Sequence, residues 1–279
     1  MNFEWYPGHM EKARRNIEAD LKLVDLIIEI IDARIPASSS NPSLKELVSG
    51  KQRLVVMNKT DLADPAVTDM WLDYYKANST PYLALDSLKK DSGKMVVKAA
   101  ALACRDKIER DRKRGLRNRR IRAMIIGIPN VGKSTLINTI AGRSTAKTGN
   151  KPGVTRGKQW IHAGNSLDLL DTPGVLWPKF SSEKTGEDLA ITGAIRNELI
   201  PFEELGAILF NWIMENYPGT IEKRYGLSGS YNDFLTGLAE DRGFFRNGEK
   251  DLLKAATIFI QEYRTGKLGR ISLEKPEEA

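Results

Sequence analysis

Apolar runs punctuate the first two-thirds of the chain at Leu26 to Ile31, Leu54 to Met57 and Ile121 to Ile126. Short runs rich in Ile and Val, with few polar interruptions, predict strands buried on both faces, as in a parallel sheet. Pro81 to Leu85 is a further short strand. Between these runs the spacing turns helical. Ile17, Leu21 and Val24 recur among charges from Glu11 onward, Pro42 to Val48 reads as a short helix, and Pro65 to Ala77 and Ser92 to Arg114 as longer ones. Gln159 to His162 and Leu167 to Leu170 flank Gly164-Asn165, a hairpin signal. Beyond Pro178 the strands stop. Glu187 to Leu199, Glu203 to Asn216, Tyr231 to Glu240 and Lys250 to Tyr263 read as helices, with Leu252, Leu253, Ala256, Ile260 and Tyr263 on one apolar stripe, and Gly266 to Ala279 as a tail. The expectation is an α/β domain over residues 1–178 and a small all-helical domain over residues 179–279.

Chemistry enters at the end of the third run. Gly127-Ile128-Pro129-Asn130-Val131-Gly132-Lys133-Ser134-Thr135 fits G-x-x-x-x-G-K-[ST], between a predicted strand and a predicted helix. Glycines there let the backbone N–H groups of Asn130 to Thr135 turn inward around an anion at a helix mouth. Lys133 would reach the β- and γ-phosphates of a nucleotide, and the Ser134 hydroxyl would ligate Mg²⁺. The second run ends in Asn58-Lys59-Thr60-Asp61, an N-K-x-D. The Asp61 carboxylate can accept from N1–H and the 2-amino group of guanine, and adenine leaves it unpaired. Lys59 would lie along the base and the P-loop, with Asn58 tying the loops together. Asp86-Ser87 ends the fourth strand where a backbone N–H would meet guanine O6, although the aspartate departs from the usual Ser-Ala-Lys or Asn-Ser form.

The Gly-rich stretch Gly142 to Lys158 holds Pro152-Gly153-Val154-Thr155, and Thr155 suits a switch that closes on Mg²⁺ and the γ-phosphate. Asp171-Thr172-Pro173-Gly174 is a D-x-x-G, in which Asp171 would hold Mg²⁺ through water and the Gly174 N–H would sense the γ-phosphate. Together these motifs point to GTP and GDP as ligands.

Composition adds limits. Among 279 residues there is one cysteine, Cys104, which excludes a disulfide framework and a multi-cysteine zinc site. No apolar run is long enough to span a bilayer, and the first twenty residues are neither a signal peptide nor a good transit peptide, so a cytoplasmic location without membrane contact is expected. The net charge of +7 is modest, but Arg105 to Arg122 is dense in cations. That run fits a solvated helix face and a nucleic-acid footprint equally well, as do Lys223, Arg224, Arg242, Arg246, Lys250 and Lys254 in the helical part.

The motif order is permuted, since N-K-x-D precedes the P-loop by roughly seventy residues. With Trp5-Tyr6-Pro7-Gly8-His9-Met10, Asp32-Ala33-Arg34-Ile35-Pro36, the Pro152 to Thr155 switch and Gly266-Lys267-Leu268-Gly269-Arg270, the chain resembles the ribosome biogenesis GTPase A family of circularly permuted GTPases along essentially its whole length. The resemblance implies a permuted Ras-like domain and a C-terminal RNA-binding domain. It further implies a monomeric GTPase working on the large ribosomal subunit precursor, with rRNA and ribosomal proteins as partners. By analogy with the Ras fold, both chain termini of the GTPase core attach beside the second switch, so a shift of Gly174 would pull on the appended domain.

Val175 and Leu176 follow the D-x-x-G, and neither can orient water, so intrinsic turnover should be slow, ~10⁻⁴ to 10⁻² s⁻¹. His9, after a Pro-Gly turn, is either the missing polar contact or a helix-entry residue. Asn130 resembles the P-loop asparagine of K⁺-activated GTPases, or is a plain loop residue. Two rival readings are a permuted GTPase of the small subunit and a non-ribosomal GTP-binding scaffold. The single cysteine and the lack of a strand-rich N-terminal extension disfavour the first, and the lack of a membrane-like basic anchor the second.

Overall fold

The computed structural model describes residues 15–116, 119–142, 159–164, 166–172, 174, 176, 180 and 182–276. The Trp5 to Met10 opening with His9, the switch around Thr155, and Pro173 and Val175 lie outside the described residues. The helix α1, described over 15–21, leads into β1 (Leu26–Asp32), followed by the short α2 (Pro36–Ser39) and α3 (Pro42–Leu47). Next come β2 (Gln52–Asn58), α4 (Pro65–Ala77), β3 (Tyr82–Ala84), α5 (Ser92–Ala103), α6 (Arg105–Lys113), β4 (Ile121–Gly127), α7 (Lys133–Ala141), β5 (Gln159–Ala163) and β6 (Leu167–Asp171).

The strands form one sheet in the order β3-β2-β1-β4-β6-β5, parallel except for β5, which pairs antiparallel with β6 around Gly164. Alternation along β1 explains the layers. Leu26, Ile28 and Ile30 face the core shared with α5 and α7, while Ile27 meets Ile17, Met124 and Ile126 beneath α1. Ile31 joins Val55, Met57 and the fully buried Trp71 of α4. The sheet order reverses between β1 and β4, and at such a switch point the carboxyl ends of parallel strands open a crevice for ligands.

The expected long helix from Ser92 to Arg114 is two helices, broken at Cys104. The apolar stripe Val96, Ala100, Cys104 ends there, and α6 has no fully buried residue, so the chain leaves the core at that point.

The C-terminal domain packs α8 (Glu183–Thr192), α9 (Phe202–Asn216), α10 (Thr220–Tyr225), α11 (Tyr231–Arg242) and α12 (Leu252–Arg264) around Phe210, Phe234 and Phe259. To the helices it adds one small hairpin, β7 (Phe245–Arg246) with β8 (Glu249–Lys250). The helix expected to run to Leu199 stops at Thr192, because Gly193 takes φ +87 there and a left-handed residue ends a helix. Leu253 does not belong to the stripe of α12. It is 47% exposed, and Ala255 and Phe259 are buried alongside Ala256, Ile260 and Tyr263 instead.

The expected tail is no tail over its described length. Leu268, Ile271, Ser272, Leu273 and Glu274 are buried, and residues 266–274 form a strap across the α/β domain. Ile271 N donates to Leu62 O and Leu273 N to Arg34 O, while the Glu274 carboxylate accepts from Ala37 N at 2.8 Å and Ser38 N at 2.9 Å. Lys184 of α8 donates to Leu273 O and to Asp188, which lies beside Glu274. No helix among the described residues is long and apolar enough to cross a membrane.

Candidate guanine-nucleotide site

The carboxyl ends of β1, β2 and β4 deliver Asp32, Asn58 and Gly127 to the crevice, in a register that pairs Asp32 with Asn58 and Ile30 with Gly127. The P-loop glycines are steric requirements. A Cβ on Gly127, which has φ +155, would stand 2.5 Å from Ile30 O. One on Gly132, at φ +99, would collide with Asn58 Nδ2. Lys133 begins α7 and is buried, its Nζ donating to Gly127 O at 3.1 Å and Ile128 O at 3.0 Å. Burial pushes its pKa down to about 8, with the Asp171 carboxylate pulling the other way. Those two carbonyls hold the ammonium where a phosphate would outcompete them.

Asn58 joins three segments. Its Nδ2 donates to Val131 O in the P-loop at 2.7 Å, and its Oδ1 accepts from Ser87 N at 2.9 Å. Thr139 of α7 holds Ser87 O as well, at 2.7 Å. Asp86 is engaged in its own turn, its Oδ1 accepting from Leu88 N at 2.8 Å, an Asx turn that fixes the loop shape. The departure from the usual sequence is thereby a turn-former. Asp61 lines the same cleft with Lys59, Asp86, Ser87, Asn130 and Thr135, and the volume is about 650 Å³. Burial and then the Asp86 carboxylate raise the Asp61 pKa.

Lys59 adopts φ +63 and places Nζ 2.9 Å from Asp32 Oδ2. Arg34 chelates the same carboxylate, Nε to Oδ1 at 2.9 Å and Nη2 to Oδ2 at 2.8 Å, and its guanidinium lies over the Tyr263 ring of α12. Burial opposes charging Asp32, but these two cations win and hold its carboxyl well below the usual carboxylate range. The site therefore rests on a Lys59–Asp32–Arg34 triad, its acid and its arginine buried and its lysine half-buried, that the motifs do not announce. The signal was present in Asp32-Ala33-Arg34, whose acid and base stand two residues apart at a strand end.

At the phosphate end, Asp171 closes β6 and is 4% exposed, and its Oδ1 is buried with no hydrogen-bond partner among the described residues. Thr172 Oγ1 anchors the turn to Ile125 O. Gly174 packs so closely that an added Cβ would lie 2.9 Å from Lys133 Nζ and from Pro129 Cα. Val131 is buried, and Ser134 and Thr135 are half-buried at the start of α7.

The helical domain forms the far wall. Thr192, Gly193, Arg196, Gln261, Arg264 and Thr265 line the cleft opposite Asp61. Asn130, at φ +57, donates from Nδ2 to Gly193 O at 2.7 Å. Arg270 of the strap donates to Thr60 O at 2.7 Å and Ala63 O at 2.8 Å, and Ser272 Oγ accepts from Asp64 N. The loop carrying Asp61 is thus clamped from the C-terminal end of the chain. The sequence marked Gly266 to Arg270 only by resemblance.

Known proteins resemble this chain in both sequence and fold. The sequence model of a family described as "50S ribosome-binding GTPase" matches residues 122–202. The chain is 43% identical to ribosome biogenesis GTPase A of Priestia megaterium over all of this chain and 99% of that one. A GDP-bound structure of TM YlqF superposes with a TM-score of 0.70 at 27% identity, covering 94% of this chain and 100% of that one. The GNP-bound crystal structure of YlqF from T. maritima gives 0.69 at 28%, covering 95% and 99%.

Proposed function

Since the chain belongs to the ribosome biogenesis GTPase A family and is a GTPase, we propose that it drives a late step of large ribosomal subunit assembly. GTP favours docking on the precursor, and the particle stimulates hydrolysis and release. The observation that carries the reading is Asn58, whose two hydrogen bonds draw the guanine-reading loop, the P-loop and the Ser87 loop into one pocket. Asp61 reads the purine edge, the N–H groups of residues 130–135 cradle the phosphates, and Lys133 moves from its two carbonyls to the β- and γ-oxygens.

Asp171 Oδ1, buried and without a hydrogen-bond partner among the described residues, suits a water ligand of Mg²⁺, and Ser134 and Thr155 are the proposed direct ligands. Bound there, Mg²⁺ would neutralise charge on the β- and γ-phosphates. K⁺, held with the help of Asn130, would supply further positive charge to the same phosphates. Because Asn130 also holds Gly193 O, a K⁺ requirement would link hydrolysis to docking of the helical domain. Gly174, against Lys133, is the γ-phosphate sensor. His9 is the proposed water-orienting residue, because neither Val175 nor Leu176 can serve.

The protein acts as a cytoplasmic monomer on rRNA and ribosomal proteins of the precursor. The family description names the 50S particle, which favours the large over the small subunit. Co-sedimentation with separated subunits tests the reading. Retention on large subunits with a non-hydrolysable GTP analogue, lost with GDP, is expected. Equal retention on both subunits would overturn it.

A further inference from the structure

The amino-terminal edge of the sheet carries a second concave surface, far from the nucleotide. One cleft of about 600 Å³ lies between α6, the turn before β1 and the start of β2, and Lys22, Lys51, Lys107, Arg110 and Arg119 line it. A contiguous cleft of about 540 Å³ shares Lys107 and Arg119 and adds Arg112 and Arg120. The acids in these walls are Asp25, Asp106 and Asp111, so cations outnumber them seven to three. Asp25 does not cancel the surface but orders it, holding Lys107 Nζ at 3.1 Å and Arg119 Nη2 at 3.4 Å. Arg112, Lys113 and Arg114 are exposed and make no ion pair with a described residue.

Arg122, whose N–H donates to Asp25, lays its guanidinium over Trp160 at 5.6 Å, and that indole is 37% exposed on the antiparallel edge strand. Seven cations drawn from separate segments of the chain along one continuous groove match a run of phosphates better than the scattered carboxylates of a folded protein surface. We propose that this groove binds the phosphate backbone of RNA, so that the α/β domain itself grips RNA on the side opposite its nucleotide. The groove lies about 20 Å from the nucleotide cleft, the length of the seven-residue β1. Its charge can therefore be removed without touching the GTP site. The identity of that RNA as part of a ribosomal precursor rests on the proposed function, but the groove does not.

The test uses the full chain with Arg110→Gln, Arg112→Gln and Lys113→Gln combined, at exposed positions of α6 that favour helix in either form. A fluorescein-labelled RNA hairpin is titrated across KCl concentrations, with fluorescent GDP binding as the control. Each lost phosphate contact should lower the slope of log K against log salt by about 0.7 to 0.9, so the triple variant should lose about 2 to 3 in slope and roughly 10- to 100-fold in affinity. GDP affinity should not change. A variant that keeps the wild-type slope, a wild type that binds no RNA, or a loss reproduced instead by Lys223→Gln with Arg246→Gln on the helical domain would each overturn the proposal. So would a triple variant that binds the hairpin normally but large subunits poorly, which would mark a protein-docking face. If wild type binds the hairpin through this groove but is not retained on subunits, the proposed function fails and the groove stands.

Discussion

At the scale of single residues, the site is held ready by groups that water cannot reach. Lys133 has lost its hydration to two backbone carbonyls, which is why its pKa falls to about 8. Phosphates restore the charged form, so binding GDP at pH 8 should take up about half a proton, against about a tenth at pH 7. Calorimetry in buffers of different ionisation enthalpy reads this directly, and equal uptake at the two pH values would refute the burial argument. Asp61 gives a second handle. An amide at this position offers one acceptor and one donor where the carboxylate offers two acceptors. Asp61→Asn should therefore weaken GDP binding by about 3 kcal/mol, more than a hundredfold in Kd. Xanthosine diphosphate, with an acceptor in place of the 2-amino group, should bind the variant better than GDP. Competition assays on the purified variant would show the inversion or its absence.

At the scale of elements, the strap of residues 266–274 does what a sheet partner would do, lending backbone and side-chain bonds to the loop after β2. Arg270 supplies two of those bonds, to Thr60 O and Ala63 O. Arg270→Ala should lower GDP affinity about three- to tenfold through loop mobility, with helix content unchanged by circular dichroism. Arg270→Lys, which cannot span both carbonyls, should behave similarly. Unaltered affinity in both would show that the loop holds its shape unaided. These contacts also mark the boundary of what the sequence discloses. The three buried strands, the P-loop and N-K-x-D were legible because apolar runs and fixed spacings are local. The strap was not, since its burial comes from partners some two hundred residues away and leaves no periodicity. The split at Cys104 was missed because cations continue the helical pattern after the buried stripe has stopped. The short α10 read only as punctuation between glycines. Asp86 was visible as an exception, yet its purpose needed the turn geometry to appear.

At the scale of the whole molecule, an acidic pair, Asp188 of α8 and Glu274 of the strap, sits where the strap is anchored to α2. Burial, and then the Glu274 carboxylate, push Asp188 up to about 8, and Glu274 is raised as well, mainly by burial. Lys184 beside them moderates the effect without removing it. For a carboxyl raised in the folded state, stability is highest at acid pH and is lost as pH climbs toward the folded value. The melting temperature should thus decline between about pH 5 and 7.5, and Asp188→Asn should flatten that decline. Parallel curves for the two proteins would exclude this pair as the cause. A last consequence follows from the far wall of the purine cleft, which Gln261, Arg264 and Thr265 supply. With the base seated as proposed, guanine would depart past a doorpost that belongs to the helical part of the chain. Whatever grasps the helical bundle therefore has leverage on how quickly spent nucleotide escapes, without ever reaching the base.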